Sequence, residues 1–306
     1  MAAATAAEAV AAAAVAEVAV VADAAETRSA RSGLPALGVG LGFREPFRSE
    51  LFMHRREVDF LEITAEHYLD ASPRKERELE LLAEHFRLIP HALNLSLGSA
   101  EGLDAAYLKK LARLVRRLDP PWWSEHISFT RAGGVEIGHL APLPWTREAL
   151  DVLCRNVSEV RRHIDAPLIL ENITYLLALP GGEMTEADFL AELVERTGCG
   201  LLLDITNLHT NALNHGYDVE EFLGRLPLEA IVQLHFVGGR WDDGVLIDSH
   251  SEPTPTEVWQ LMERVLECAP VRGVVLERDE NFPPFAEILL ELRRARDAGR
   301  RHERWA

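Results

Sequence analysis

From Leu37 onward, short apolar runs rich in branched residues alternate with longer stretches whose apolar positions recur every three to four residues. The runs predict strands near 37–43, 58–63, 90–97, 123–128, 167–172, 200–205, 231–237 and 272–277. The amphipathic stretches predict helices near 73–87, 104–118, 145–164, 185–197, 217–225, 255–267 and 283–297. Several carry start signals: Ser72-Pro73, Pro144-Trp145-Thr146, Thr185 with Asp188 three residues on, and Thr254-Pro255-Thr256. Eight strands alternating with helices match a (β/α)8 TIM barrel in count and length. A doubly wound open sheet would normally place a Gly-rich phosphate turn after its first strand. Here Gly38-Val39-Gly40-Leu41-Gly42 is followed by no helix start, so the barrel is the expected fold.

The same runs share a second property. They reach an acidic residue or histidine where the apolar stretch stops: Glu62, His91, Glu125, Glu171, Asp204, His235 and Glu277. Burying such a group unpaired is costly, and a shared metal site offsets that cost most directly. A barrel gathers the C-terminal ends of its strands at one mouth, so residues more than 200 positions apart converge there. Asp248-Ser249-His250, after the seventh strand, adds two donors that extended backbone would turn the same way. Imidazoles and carboxylates without a thiolate favour Fe, Mn, Zn or Mg-like ions, and the surplus of donors suggests two or three of them.

Taken singly, each residue also has a structural reading. Glu171 could pair with Arg278, Asp204 could cap a following helical turn, and His91 and His235 could be satisfied core histidines. Glu66 and His67, after the second strand, are candidate ligands or loop-pinning groups. Asn172 and Asn207 suit amides that orient carboxylates. His209 and His215 fall in a polar loop near the mouth. Alternation with Glu125 turns His126 away toward the helices, in a structural role. Trp122-Trp123 reads as packing at a strand entrance, and His54, His85, His139, His163 and His302 as surface or helix histidines.

Composition narrows the partners. A net charge of −17 argues against nucleic acid or an anionic membrane, and no apolar stretch is long enough to span a bilayer. Cys154, Cys199 and Cys268 are scattered, as expected of reduced thiols in the cytoplasm. Residues 1–35 are an Ala-rich segment, expected as a frayed helix or disordered tail, with no basic region to mark a secretory signal. The barrel domain is expected over 36–298, with 299–306 as a C-terminal tail.

The ordered motifs GVGLGFREP, FLEITAEHY, HALNLSLGSAEGLD, SEHISF, LPWTREAL, LENITY, GLLLDITNLHTNALNHGYD, LHFVGG and LIDSH resemble those of the multinuclear non-heme iron-dependent oxidative enzymes. The resemblance covers about residues 36–295. It implies a TIM barrel holding two or three iron ions that uses O2 to remodel cysteine or other residues of a ribosomally made precursor peptide. It also implies a small partner protein that delivers the peptide. Carried onto this chain, the implied iron ligands are His91, Glu171, Asp204, His235, Asp248, His250 and Glu277. The chain departs from the family pattern at Phe47, where a histidine is usual, and His67 stands where the pattern has asparagine. The competing expectations are a divalent-metal barrel enzyme of the xylose-isomerase or endonuclease type, and a non-catalytic, metal-dependent peptide-binding subunit.

Overall fold

A computed structural model describes residues 33–306. The expectation for the Ala-rich segment therefore falls almost wholly outside the described residues. Eight parallel strands close into a barrel: β1 (Gly38–Gly42), β2 (Phe60–Thr64), β3 (Arg87–His91), β4 (Trp123–His126), β7 (Leu168–Glu171), β8 (Gly200–Asp204), β9 (Ile231–Phe236) and β12 (Gly273–Leu276). Neighbours in sequence are neighbours in the barrel, and β12 closes it against β1. The TIM-barrel expectation holds.

Local chemistry sets the helix boundaries. Ser72, Asp104, Thr146 and Thr185 each accept a backbone N–H from the first turn of the helix that follows, satisfying donors otherwise left open. The last helix, Phe285–Arg301, runs past the expected boundary at 298, and Trp305 folds back so that its indole N–H reaches the Arg296 carbonyl.

Inside the barrel the N-terminal half is filled by Phe60, Ile89, Trp122, Ile169, Leu202 and Val275, all essentially buried. The glycines of β1 make room for this floor. A Cβ on Gly40 would stand 2.7 Å from the Phe60 ring, so the GVGLG run is a packing feature.

Four departures from the expected elements bear on function. The third strand covers 87–91 and not 90–97, so His91 ends it. Residues after it form a partly buried loop whose backbone donors go to carboxylates: Leu93 and Asn94 N–H to Glu66 (2.7 and 3.0 Å), and Leu95 N–H to Glu125 (3.0 Å). Leu95 and Leu97 are buried beneath that loop, which is why the run reads as a strand. The stretch 205–215, expected as loop, is a helix (Ile205–His215) capped by Asp204 and ended by Gly216 at φ +72°. Two hairpins were not anticipated: β5 (Phe129–Ala132) with β6 (Val135–Ala141), and β10 (Gly238–Asp242) with β11 (Val245–Glu252). They follow β4 and β9 and so rise beside the C-terminal mouth. Among the described residues, no helix is long and apolar enough to cross a membrane.

Candidate metal centre

Alternation along the strands builds the site. Two residues beyond each floor residue comes a polar one on the same face: Glu62 after Phe60, His91 after Ile89, Glu171 after Ile169, Asp204 after Leu202 and Glu277 after Val275. On β4 the inward series is Trp122, Ser124, His126. His126 therefore faces the axis, and the expectation that it turns toward the helices is corrected. Its ring centroid lies 4.6 Å from that of His91, and its Nε2 lies 3.4 Å from Glu171 Oε2. Glu125 takes the outward face instead, accepting N–H groups from Leu95 and His126.

Three sets of side chains bring donor atoms within 4.8 Å of one another: His91, His126 and Glu171; Glu171, Asp204, His235 and Glu277; and His250, Glu277 and Asp279. Glu171 belongs to the first two sets through different oxygens. Its Oε2 lies 3.4 Å from the Nε2 atoms of both His91 and His126, and its Oε1 lies 3.4 Å from His235 Nδ1. Glu277 joins the second set to the third, with Oε2 3.1 Å from His235 Nδ1 and 3.6 Å from His250 Nδ1.

A second layer orients these groups. His91 Nδ1 lies 2.8 Å from Ser124 Oγ, leaving Nε2 toward the cluster. His235 Nε2 lies 2.7 Å from Glu62 Oε1. The other Glu62 oxygen accepts from Gln233 Nε2 (2.6 Å), and Gln233 Oε1 accepts the Trp122 indole N–H (2.8 Å). Glu62 is therefore the group that aims His235. Asn172 exchanges two hydrogen bonds with the backbone of Asp204 (2.9 and 3.0 Å), and Asn207 N–H donates to Asp204 Oδ1 (2.8 Å). Asp204 thus caps its helix with one oxygen and keeps Oδ2 for the mouth.

The other sequence candidates lie further out. Asp248 is in none of the three sets; its Oδ1 lies 2.8 Å from His250 Nε2 and its Oδ2 accepts the Thr174 hydroxyl at 3.2 Å. His250 has φ +50°, so plain strand alternation does not set its direction, as had been expected. Glu66 pins the loop after β3. His67 is exposed and His209 half-buried, and neither belongs to a set. Arg278 runs to the Ser251 carbonyl and to Glu291, not to Glu171. Phe47 packs against Phe282 and Phe285, with ring centroids 5.0 and 5.5 Å away. Asp279 and Arg44 were not singled out in the sequence. Arg44 bonds both Glu277 (3.2 Å) and Asp279. No local motif marks either, although Asp279 stands two residues beyond Glu277, where alternation would look next.

Electrostatics at the site favour positive charge. Burial pushes the Glu171 carboxyl up, but His126 and His235 outweigh it and hold it at about 2. Burial lowers the His126 imidazole, but Glu171 and Glu125 outweigh it and raise it to about 9. His235 and His250 are likewise raised well above the ordinary value against burial, by Glu62, Glu171 and Glu277 in one case and by Asp248 and Glu277 in the other. Burial, with Asp248 and Glu171 beside it, raises Asp204 to about 7. The carboxylates thus favour positive charge on the imidazoles around them. Glu171 Oε2, Asp204 Oδ2, His235 Nδ1 and His250 Nδ1 are all buried without a hydrogen-bond partner. Orphaned atoms of this kind, converging as lone-pair donors, fit divalent cations.

Comparison with known proteins places the chain in a family. The family described as RiPP precursor modification enzyme MbnB/TglH/ChrH matches residues 38–300. The chain belongs to that family. A UPF0276 protein of Caulobacter vibrioides is 37% identical over 271 residues, covering 87% of this chain and 97% of the relative. One from Streptomyces avermitilis is 42% identical over 266 residues, covering 85% of this chain; the chain spans only 54% of that relative's length. Among solved structures, D-psicose 3-epimerase from Clostridium cellulolyticum H10 aligns with TM-score 0.54 at 11% identity, over 87% of this chain and 96% of its own. L-ribulose 3-epimerase aligns with TM-score 0.53 at 14% identity, over 87% and 95%. At such identities these neighbours speak to the barrel fold alone. Family members and structural neighbours alike are enzymes, and the family's substrates are peptides.

Proposed function

We propose that this protein is a multinuclear iron enzyme that uses O2 to modify cysteine or another residue of a ribosomally made precursor peptide. The observation that carries the reading is Glu171, whose two oxygens face two different donor sets. A carboxylate so placed suits a bridge between two cations, and the mixed histidine and carboxylate donors suit iron. Glu277 reaches a third position with one oxygen only, Oε2, which faces both His235 and His250 while Oε1 is paired with Arg44. The ligands we propose are His91, His126, Glu171, Asp204, His235, His250 and Glu277, with Asp248 orienting His250 and Asp279 completing the outer set. A small partner protein that delivers the peptide and a cytoplasmic setting belong to the same proposal.

When bound, iron supplies the redox chemistry and the activation of oxygen. The chain's own part is positional. Glu62 and Ser124 fix the ring orientations of His235 and His91, so their free nitrogens stay aimed at the centre without reorganisation. The apolar floor excludes water from below, which strengthens every charge interaction above it.

Anaerobic purification with Fe(II), followed by metal analysis, Mössbauer spectroscopy and O2 uptake with a precursor peptide, tests the reading. At least two irons per chain and peptide-dependent oxygen uptake are expected. Full turnover with Mg or Mn and no oxygen would overturn it.

A further inference from the structure

Beside the mouth lies a cavity of about 530 Å³ that the metal chemistry does not use. Trp145, Tyr175, Tyr217 and Phe222 give it aromatic walls, and Glu186 lies among them. Glu186, in the first turn of the helix Glu186–Thr197, is only 7% exposed. It accepts one hydrogen bond from the Tyr175 hydroxyl at 3.1 Å, and no cationic side chain contributes to its surroundings. Arg225 lines the cavity but is committed to Asp188 (3.1 Å) and Glu221 (2.9 Å). The His215 ring is stacked on Tyr175 at 4.5 Å and its Nε2 is turned to the Tyr175 carbonyl. The Tyr217 hydroxyl is buried with no hydrogen-bond partner.

A buried carboxyl without a counter-cation, an idle hydroxyl beside it and aromatic faces around both form an incomplete constellation. A cation on an aliphatic stem would complete it: the Glu186 carboxyl gives up its proton to meet the charge, the hydroxyl accepts an N–H, and the stem lies between the rings. The exposed Asp218 at the rim and the net charge of −17 favour the same sign of ligand. The chain links the cavity to the surroundings of the metal centre. Tyr175 lines the cavity, and the next residue back, Thr174, donates to Asp248.

We propose that this cavity is a specificity pocket for a lysine or arginine side chain of the peptide substrate, seated against Glu186 and Tyr217. The pocket sets which peptide is held and in what register its neighbouring residues cross the mouth. This inference rests on the peptide-modifying reading, and it adds a sequence requirement to it.

Calorimetry on the full-length, iron-loaded protein, kept anaerobic so that no turnover occurs, tests it. The probes are a short capped peptide with one lysine, the same peptide with norleucine, and free butylamine. The lysine peptide should bind at least about tenfold more tightly than the other two, as expected for a desolvated cation over aromatic rings and a carboxylate. Glu186→Gln should abolish the preference, and Tyr217→Phe, a milder change, should reduce it. Equal binding of lysine and norleucine peptides, a preference that survives in Glu186→Gln, or butylamine binding as well as the peptide would each overturn the proposal. A lysine preference in the calorimeter together with no oxygen uptake in the separate aerobic assay with a precursor peptide would instead count against the oxidase reading alone, so the two failures are distinguishable.

Discussion

Glu62 Oε1 and His235 Nε2 lie 2.7 Å apart at the boundary between the apolar floor and the polar mouth. The contact fixes which imidazole nitrogen carries the proton and leaves Nδ1 to the metal side. Removing such an orienting carboxylate typically costs about 10- to 100-fold in metal affinity. Glu62→Gln should weaken metal binding within that range while leaving the fold unchanged. Titration of the apo protein with a divalent metal, alongside circular dichroism, measures both.

The shared position of Glu171 makes stoichiometry informative. His126→Ala removes a donor from one set only and should lower metal content by about one ion per chain, whereas Glu171→Ala touches two sets and should lower it further. Elemental analysis of the variants purified side by side decides this. Equal losses would count against a bridging role.

Metal uptake should depend on pH in a definite direction. His126 is raised to about 9 and Asp204 to about 7 in the metal-free protein, and ligands must shed their protons to bind. Raising the pH removes that competition, so apparent affinity should increase from about pH 6 to about pH 9. Binding should release protons, visible as a dependence of calorimetric heat on the buffer's ionisation enthalpy.

Glu186 makes a separate prediction about stability. Burial raises its carboxyl to about 8, so the folded chain keeps a proton that the unfolded chain loses near its ordinary value of 4.5. The contribution is complete below the ordinary value and is lost as pH climbs toward 8, by up to about 1.4 kcal/mol per pH unit. Glu186→Gln should flatten this decline and stabilise the protein at about pH 8 relative to the parent. Urea unfolding at several pH values reads the difference.

Gly40→Ala tests the packing of the floor. The added methyl would meet the buried Phe60 ring at 2.7 Å, and overpacking of this kind costs about 1–3 kcal/mol. Thermal unfolding should show the loss, with metal content retained.

Much of this was legible because barrels reward regular patterns. Runs such as Gly200–Asp204 and Ile231–Phe236 are apolar almost throughout, as strands covered on both faces must be, and their polar ends mark the mouth. Errors arose where tertiary contacts override local pattern. The Asn-rich stretch after Asp204 has weak helix propensity, yet Asn207, Asn211 and Asn214 each bond a neighbouring segment that holds the helix in place. Leu95 and Leu97 look like strand residues but sit under a loop whose backbone is satisfied by Glu66 and Glu125, neither adjacent in sequence. Taking Glu125 as the inward residue of its run puts His126 on the wrong face; starting the alternation at the floor residue Trp122 puts it on the right one. The turn Asp243-Gly244, with φ +46° and +82°, is a hairpin signal that was present and passed over.

The floor of Phe60, Ile89, Trp122, Ile169, Leu202 and Val275 has a kinetic meaning as well as a structural one. It makes the chamber a cul-de-sac, with traffic entering and leaving at the rim between the hairpins. A peptide lying across that rim would shut the door behind whatever had already entered. On the function proposed above, oxygen and peptide would then compete for passage, and the order in which they arrive would govern turnover.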